Sequence, residues 1–117
     1  MHGIFRGAPL LGRLLFIAAL VGACTPSAPL TEQEKLYNHG KAVYLGNCTS
    51  CHNVDPHLAG AVGPDVFGSS LPLLSARVLH TQYPPGYKPK RKTSAMAQLP
   101  YLENDLPALE VFLNEKK

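Results

Sequence analysis

The stretch Cys48-Thr49-Ser50-Cys51-His52 decides how the rest of the chain is interpreted. Two thiols separated by two residues can each add to one vinyl group of a porphyrin, and the adjacent histidine then lies beneath the iron with its imidazole free to coordinate. Cys-x-x-Cys-His is accordingly the attachment motif of c-type haem. The stretch predicts one covalent haem c, held by Cys48 and Cys51, with His52 as an axial ligand of the iron.

A zinc site, a redox disulfide and chance are the three alternatives to haem attachment at this motif. A structural zinc site needs four ligands, and the sequence has no second cysteine pair; His57 and His80 are a poor substitute for one. A thioredoxin-type disulfide expects a strand before the motif and a long helix after it, whereas a helical pattern precedes Cys48 and a loop pattern follows His52. Chance is disfavoured because an export signal and helical flanks accompany the motif.

Residues 1–23 have the composition of an export signal. Arg6 and Arg13 supply positive charge, and the apolar stretch Leu14–Val21 is shorter than the roughly 20 residues that span a bilayer. We therefore expect a cleaved signal peptide. The alternative is an uncleaved anchor helix that starts near Leu10.

The end of this segment, Leu20-Val21-Gly22-Ala23-Cys24, resembles a bacterial lipobox, which predicts lipidation at Cys24. Residues 24–30 then form a flexible, proline-broken tether, and residues 31–117 form the folded domain. The protein would be exported to the periplasmic side and lipid-anchored to a membrane. The alternative is ordinary cleavage that leaves Cys24 as an exposed thiol, which is a liability outside the cell. With Cys24 lipidated and the other two cysteines on haem, no disulfide is expected.

The overall charge excludes one class of partner. The chain carries a formal net charge of +3, but Arg6 and Arg13 lie in the predicted signal and two haem propionates would add negative charge. The mature protein would therefore be nearly neutral, which does not suit a nucleic-acid binder.

A first helix is predicted from Thr31 to Leu45. Thr31 and Glu34 form a capping box at its start, and Gly46-Asn47 stops it just before the motif. Residues near the 3.6-residue period define one inward face: Leu36, Gly40, Val43 and Tyr44. Glycine costs about 1 kcal/mol inside a helix, so Gly40 indicates either a close contact with another helix or a tolerated exposed position.

A second helix is predicted from Glu103 to Lys116. Asn104 or Asp105 is its candidate cap and Pro107 fits its first turn. Its apolar face consists of Leu106, Leu109, Phe112 and Leu113.

The segment between these two helices contains few regular elements. One short helix is predicted over Leu71–His80, and the remainder is rich in Gly and Pro, without alternating runs long enough for a sheet. The prediction is an all-α domain with long loops. Because so loop-rich a chain would struggle to form a core, a large apolar cofactor at its centre is expected.

The second axial ligand is predicted to be Met96, in a loop just ahead of the last helix. A methionine in a loop is also a common gap-filler in cores. His80 is the main rival and would give a bis-histidine iron. His57 follows His52 too closely to reach the opposite face of the porphyrin, and His39 lies away from the inward face of its helix.

These features together resemble a class I (mitochondrial-type) cytochrome c of the small bacterial monohaem kind. The resemblance covers residues 31–117 and rests on the Gly40–Tyr44 run before the motif, Gly63-Pro64, Met96 and the closing helix. It implies three to four short helices wrapped around one covalent haem, with the first and last helices crossing at Gly40 against an aromatic such as Phe112. It also implies that the Pro64 carbonyl accepts a hydrogen bond from the second ring nitrogen of His52.

The predicted function is electron transfer rather than catalysis. With His52 and Met96 on the iron, no axial position is open to a substrate. We expect a membrane-tethered electron carrier in a respiratory or dehydrogenase-linked chain. The alternatives are a haem-based sensor or peroxidase-like protein with an exchangeable sixth ligand, and a cytochrome subunit of a larger oxidoreductase.

A basic cluster, defined as Lys88, Lys90, Arg91 and Lys92, lies shortly before Met96. One interpretation is a docking surface for an acidic redox partner. The other is a solvated loop whose charges partly neutralise the haem propionates.

Overall fold

The fold consists of helical elements joined by long loops. The computed structural model of the chain describes residues 26–116, so the predicted signal segment 1–23 and the lipidation residue Cys24 lie outside the described residues. Helix α1 spans Glu32–Asn47, and the short helix α2, Leu71–Leu74, continues directly into a π-helical turn, Ser75–Leu79. A 3-10 segment, Pro100–Asp105, leads into helix α3, Leu106–Asn114. No strand occurs within residues 26–116, so the all-α prediction is confirmed there.

Helix α1 begins at the predicted capping box. The Thr31 hydroxyl accepts a hydrogen bond from the Glu34 amide at 3.2 Å, and the Glu34 carboxylate accepts one from the Thr31 amide at 2.8 Å. At the other end the helix runs two residues beyond Leu45, where the Asn47 side chain donates to the Val43 carbonyl at 2.8 Å. Its start is therefore confirmed, but the predicted stop at Gly46-Asn47 was wrong, because both residues belong to the helix, which ends directly before Cys48.

The inward face of α1 is confirmed at three of its four predicted positions. Gly40, Val43 and Tyr44 are buried, but Leu36 is 38 % exposed, so its prediction was wrong. The neighbouring Tyr37 packs against the core instead. A helical residue advances about 100°, so either neighbour can border the stripe, and the larger aromatic ring reaches α3.

Helices α1 and α3 cross at Gly40. A Cβ atom at this position would overlap the carbonyl group of Ala108 and lie 3.0 Å from the Leu109 amide nitrogen. Phe112 then packs one turn along α3, with its ring centroid 5.3 Å from that of Tyr44 and 5.4 Å from that of Tyr37. The close helix contact expected at Gly40 is confirmed, and the aromatic packing flanks it.

Helix α3 starts later than predicted because of its proline. Pro107 has no N–H to donate to the Glu103 carbonyl, so an α-helix cannot run continuously through this turn, and the preceding residues adopt the tighter 3-10 form. Asp105 occupies the cap position, but its carboxylate contacts His39 Nε2 at 2.7 Å rather than capping the helix. The predicted apolar face is buried throughout: Leu106, Leu109, Phe112 and Leu113.

The predicted middle helix is present as two successive forms. Helix α2 and the π-helical turn together cover Leu71–Leu79, and their buried residues are Leu74 and Val78. The Leu71 amide donates to the Glu110 carboxylate of α3 at 2.7 Å, which ties this element to the last helix. None of the described helices is long and apolar enough to cross a bilayer.

Candidate cofactor site

A cleft beside the helical core forms the candidate site. It holds about 760 Å³ of space between atoms, part of which is open to solvent. Leu74 and Val78 belong both to its wall and to the core. Its apolar lining comes from the loop after Cys51, from α2 and the π-helical turn, and from the segment before α3: Val62, Gly63, Pro64, Val66, Leu73, Leu74, Val78 and Met96. The lining of the cleft therefore suits a mainly apolar ligand.

His52 lines this cleft in a defined orientation. Its Nδ1 lies 2.8 Å from the Pro64 carbonyl oxygen, and because a carbonyl only accepts, Nδ1 must carry the proton. In the neutral ring Nε2 then has a lone pair available to a metal, and such a contact holds the ring of a metal-binding histidine in place. A second hydrogen bond joins the chain before the motif to the chain after it: the Tyr44 hydroxyl donates to the Asn53 carbonyl at 2.5 Å. The hydrogen bond that the resemblance implied for Pro64 is present.

Two glycines allow the following loop to close against the motif. The amide of Gly63 donates to the Cys51 carbonyl at 2.9 Å, and a Cβ atom at Gly63 would lie 2.5 Å from His52 Nδ1. A Cβ atom at Gly60 would lie 2.6 Å from the His52 Cα. Sequence reasoning did not predict this close packing at either glycine. The signal for it is their spacing, Gly-x-x-Gly, directly before Pro64.

The two motif cysteines occupy different surroundings. Cys51 lines the cleft, while Cys48 is half-buried and packs against the core. Both are free thiols, and a turn brings the Cys51 amide to 3.2 Å and the His52 amide to 2.9 Å from the Cys48 carbonyl. Burial, reinforced by the nearby Cys51, raises the pKa of Cys48 to about 11, so its thiol is protonated at neutral pH.

Met96 is the candidate second ligand that shares the cleft with His52. It is half-buried and packs against the core cluster. His80 is exposed and does not line the cleft. His57 stacks on the Phe67 ring at a centroid distance of 3.9 Å, and His39 contacts Asp105. The structure thus brings together Cys51, His52 and Met96, and places the three rival histidines elsewhere.

A zinc site and a redox disulfide find little support in this geometry. Within residues 26–116 no group of three or more His, Cys, Asp or Glu side chains is arranged to hold a metal ion, as a zinc site would require. The motif follows helix α1 directly, rather than a strand as in a thioredoxin-type unit.

The polar part of the cleft wall contains a cation suited to an anionic ligand. The Arg77 guanidinium lies 4.3 Å from the Tyr83 ring centroid and donates to the Thr81 carbonyl at 2.5 Å. It has no ion pair with a carboxylate in the described part of the chain. Tyr87, which also lines the cleft, stacks on Tyr83 at 5.3 Å. A ligand that carries carboxylates on an apolar body fits this wall, because a cation beside an apolar cavity is stabilised by a paired anion.

Half of the basic cluster contacts the chain itself. Lys90 Nζ lies 2.5 Å from the Asp65 carboxylate, and this hydrogen bond holds the pKa of Asp65 below its ordinary value. Arg91 donates to the carbonyls of Gly60 and Val62, both at 3.1 Å. Lys88 and Lys92 are exposed.

Comparison with known proteins adds no relative to this description: no family model, no curated protein and no solved structure matches the chain.

Proposed function

We propose that the chain is a membrane-tethered monohaem c-type cytochrome with a class I cytochrome c fold, and that it carries electrons in a respiratory or dehydrogenase-linked chain. The observation that carries the proposal is the shared cleft. Cys51, His52 and Met96 line one apolar cavity, and the His52 ring is oriented by the Pro64 carbonyl so that Nε2 remains available. Cys24, through a lipid, would hold the protein at the periplasmic side of a membrane.

The residues that would hold the haem have different roles. Cys48 and Cys51 would hold the haem covalently, each by net addition of its S–H across one vinyl group, which needs no further reactant. His52 Nε2 and the Met96 sulfur would coordinate the iron, and the apolar residues of the cleft would contact the porphyrin. When bound, haem supplies a one-electron iron couple, whose potential methionine ligation raises. Because His52 and Met96 would both be bound to the iron and leave no site for a substrate, no catalytic role is proposed.

The decisive experiment is haem attachment in protein exported and matured in a host that makes c-type cytochromes. We expect haem to remain on the chain after denaturing electrophoresis, and the double variant Cys48→Ala/Cys51→Ala to lose it entirely, because a thioether is the bond that survives denaturation. Haem-dependent staining and the α-band of the reduced protein are the measurements.

Cys24→Ala provides the matched control for this experiment. The same substitution there should leave haem attachment unchanged but move the protein out of the membrane fraction, because a lipid anchor at Cys24 is lost. Haem that is absent from the wild type, or retained in full by the double variant, would refute the proposal.

A second candidate is a sensor or peroxidase-like protein in which Met96 is displaced from the iron. It is favoured by the irregular conformation of residues 88–99, which contain no helix ahead of the 3-10 segment. Within this stretch, the Ala95 amide donates to the Thr93 hydroxyl at 3.2 Å, and the Leu99 amide donates to the Val78 carbonyl at 2.8 Å. An electron carrier and a sensor differ in whether the reduced protein binds carbon monoxide at neutral pH.

Partner docking through the basic cluster yields a prediction about ionic strength. Lys88 and Lys92 are the exposed members that make no hydrogen bond or ion pair within residues 26–116, so they are the ones free to attract an acidic surface. The rate of electron exchange with a carboxylate-terminated electrode should fall several-fold when the ionic strength is raised from about 0.01 M to 0.15 M. The reason is that the screening length falls from about 30 to 8 Å. Exchange that is indifferent to salt would remove this docking proposal.

A further inference from the structure

Two members of the basic cluster contact the loop that contributes Val62 and Asp65 to the cleft wall. Lys90 donates to both the backbone carbonyl of Asp65, at 3.2 Å, and its carboxylate, at 2.5 Å. Arg91 donates from one guanidinium nitrogen to the carbonyls of Gly60 and Val62, each at 3.1 Å. We call Lys90 and Arg91 the strap. The strap forms hydrogen bonds to both ends of the short loop, residues 60–65, that follows the Cys-x-x-Cys-His motif.

The loop of residues 60–65 also orients the His52 ring. Its Gly63 amide donates to the Cys51 carbonyl at 2.9 Å, and its Pro64 carbonyl accepts from His52 Nδ1 at 2.8 Å. The Gly60 amide donates to the Gly63 carbonyl at 2.9 Å, which closes the loop on itself. A displacement of this loop would therefore be transmitted to the His52 ring.

On the other side, the strap is joined to Met96 by a short piece of chain. Four residues lie between Arg91 and Met96, and an extended chain covers at most about 3.6 Å per residue, so the Met96 Cα stays within roughly 18 Å of the Arg91 Cα. Beyond Met96, the next backbone anchor is the Leu99 amide on the Val78 carbonyl. Met96 thus lies on a segment held at both ends. At one end, Arg91 is hydrogen-bonded to the loop that orients His52, and at the other the Leu99 amide is hydrogen-bonded to the Val78 carbonyl.

We propose that Lys90 and Arg91 are positioning residues that hold the Met96 segment in register with the His52 loop across the cleft. This role rests on the proposed haem function. It gives two cations of the basic cluster an intramolecular task, distinct from docking. Charge alone would not perform it, because the Arg91 contacts are directed hydrogen bonds to backbone carbonyls rather than an ion pair.

The test compares Arg91→Gln with Lys92→Gln, which removes the same charge one residue along the chain from a side chain without such contacts. In the oxidised haem protein, imidazole competes with Met96 for the iron. We expect Arg91→Gln to increase the apparent affinity for imidazole about tenfold, the scale of a lost charge-assisted hydrogen bond. Lys92→Gln should leave it unchanged. Arg91→Lys, which retains the charge and one donor group, should recover part of the wild-type value.

Amide exchange provides a readout that does not depend on haem. The Val62 and Gly63 amides, which donate to the Cys51 carbonyl, should exchange faster in Arg91→Gln and at the wild-type rate in Lys92→Gln. Equal behaviour of the two variants in both measurements would overturn the strap. Wild-type protein without haem would instead contradict the proposed function, and the exchange rates would still decide whether Arg91 holds the loop.

Discussion

In the proposed haem protein, replacing Met96 with alanine is expected to convert a closed iron site into an open one. The wild-type reduced protein should resist carbon monoxide at neutral pH, whereas Met96→Ala should bind it readily, because Met96 is the candidate ligand that shares the cleft with His52. The midpoint potential should fall by a sizeable part of the roughly 0.8 V over which axial ligands tune haem. Spectra of the reduced protein with and without carbon monoxide, and a redox titration, are the measurements.

His80→Ala is the matched control for the sixth ligand. His80 is exposed and lies outside the cleft lining, so its removal should leave both the carbon monoxide response and the potential unchanged. If His80→Ala opened the site and Met96→Ala did not, the iron would be bis-histidine ligated. Carbon monoxide binding by the wild type would favour the sensor or peroxidase-like alternative over an electron carrier.

Replacing Gly40 with alanine is expected to destabilise the fold by about 1–3 kcal/mol, the usual cost of forcing an extra methyl group into a packed interface. The added Cβ would overlap the Ala108 carbonyl, and a backbone group cannot move aside as a flexible side chain can. The gain of about 1 kcal/mol in helix propensity offsets only part of this cost. Denaturant unfolding of the haem-loaded protein measures the difference.

Gly46→Ala makes the same change in the same helix, where a Cβ atom would meet nothing within 4 Å. It should leave stability unchanged or raise it by up to about 1 kcal/mol. Equal unfolding midpoints for the two variants would show that α1 and α3 do not approach each other closely at Gly40.

The location of the cleft also bears on how a loop-rich chain folds. Leu74 and Val78 contribute to both the core and the cleft wall, so the hydrophobic core extends to the surface of the cleft. An apolar cofactor in the cleft would extend this buried surface, in line with the expectation that so small a domain needs support beyond its own side chains.

Features encoded within a few residues were predictable from the sequence alone. The Thr31–Glu34 capping box and the buried stripe of α3 depend on contacts between residues three or four apart, so periodicity and capping reveal them. The Cys-x-x-Cys-His motif is local in the same sense. Leu36 shows the limit of this reasoning, because the helical period admits either Leu36 or Tyr37 and only the position of Phe112 decides between them.

Only the tertiary structure decided the contacts between residues that are far apart in the sequence and lie on the long loops. The helical pattern could not show that Met96, rather than His80, lines the cleft with His52, or that Arg91 turns inward onto the Gly60 carbonyl 31 residues away. Such contacts depend on the path of a Gly- and Pro-rich chain, which has no periodicity to read. The sequence by itself determined the approximate positions of the helices and the Cys-x-x-Cys-His motif, since these are local. The choice of the residues that share the cleft with His52 required the whole fold, since it is set by the path of distant backbone.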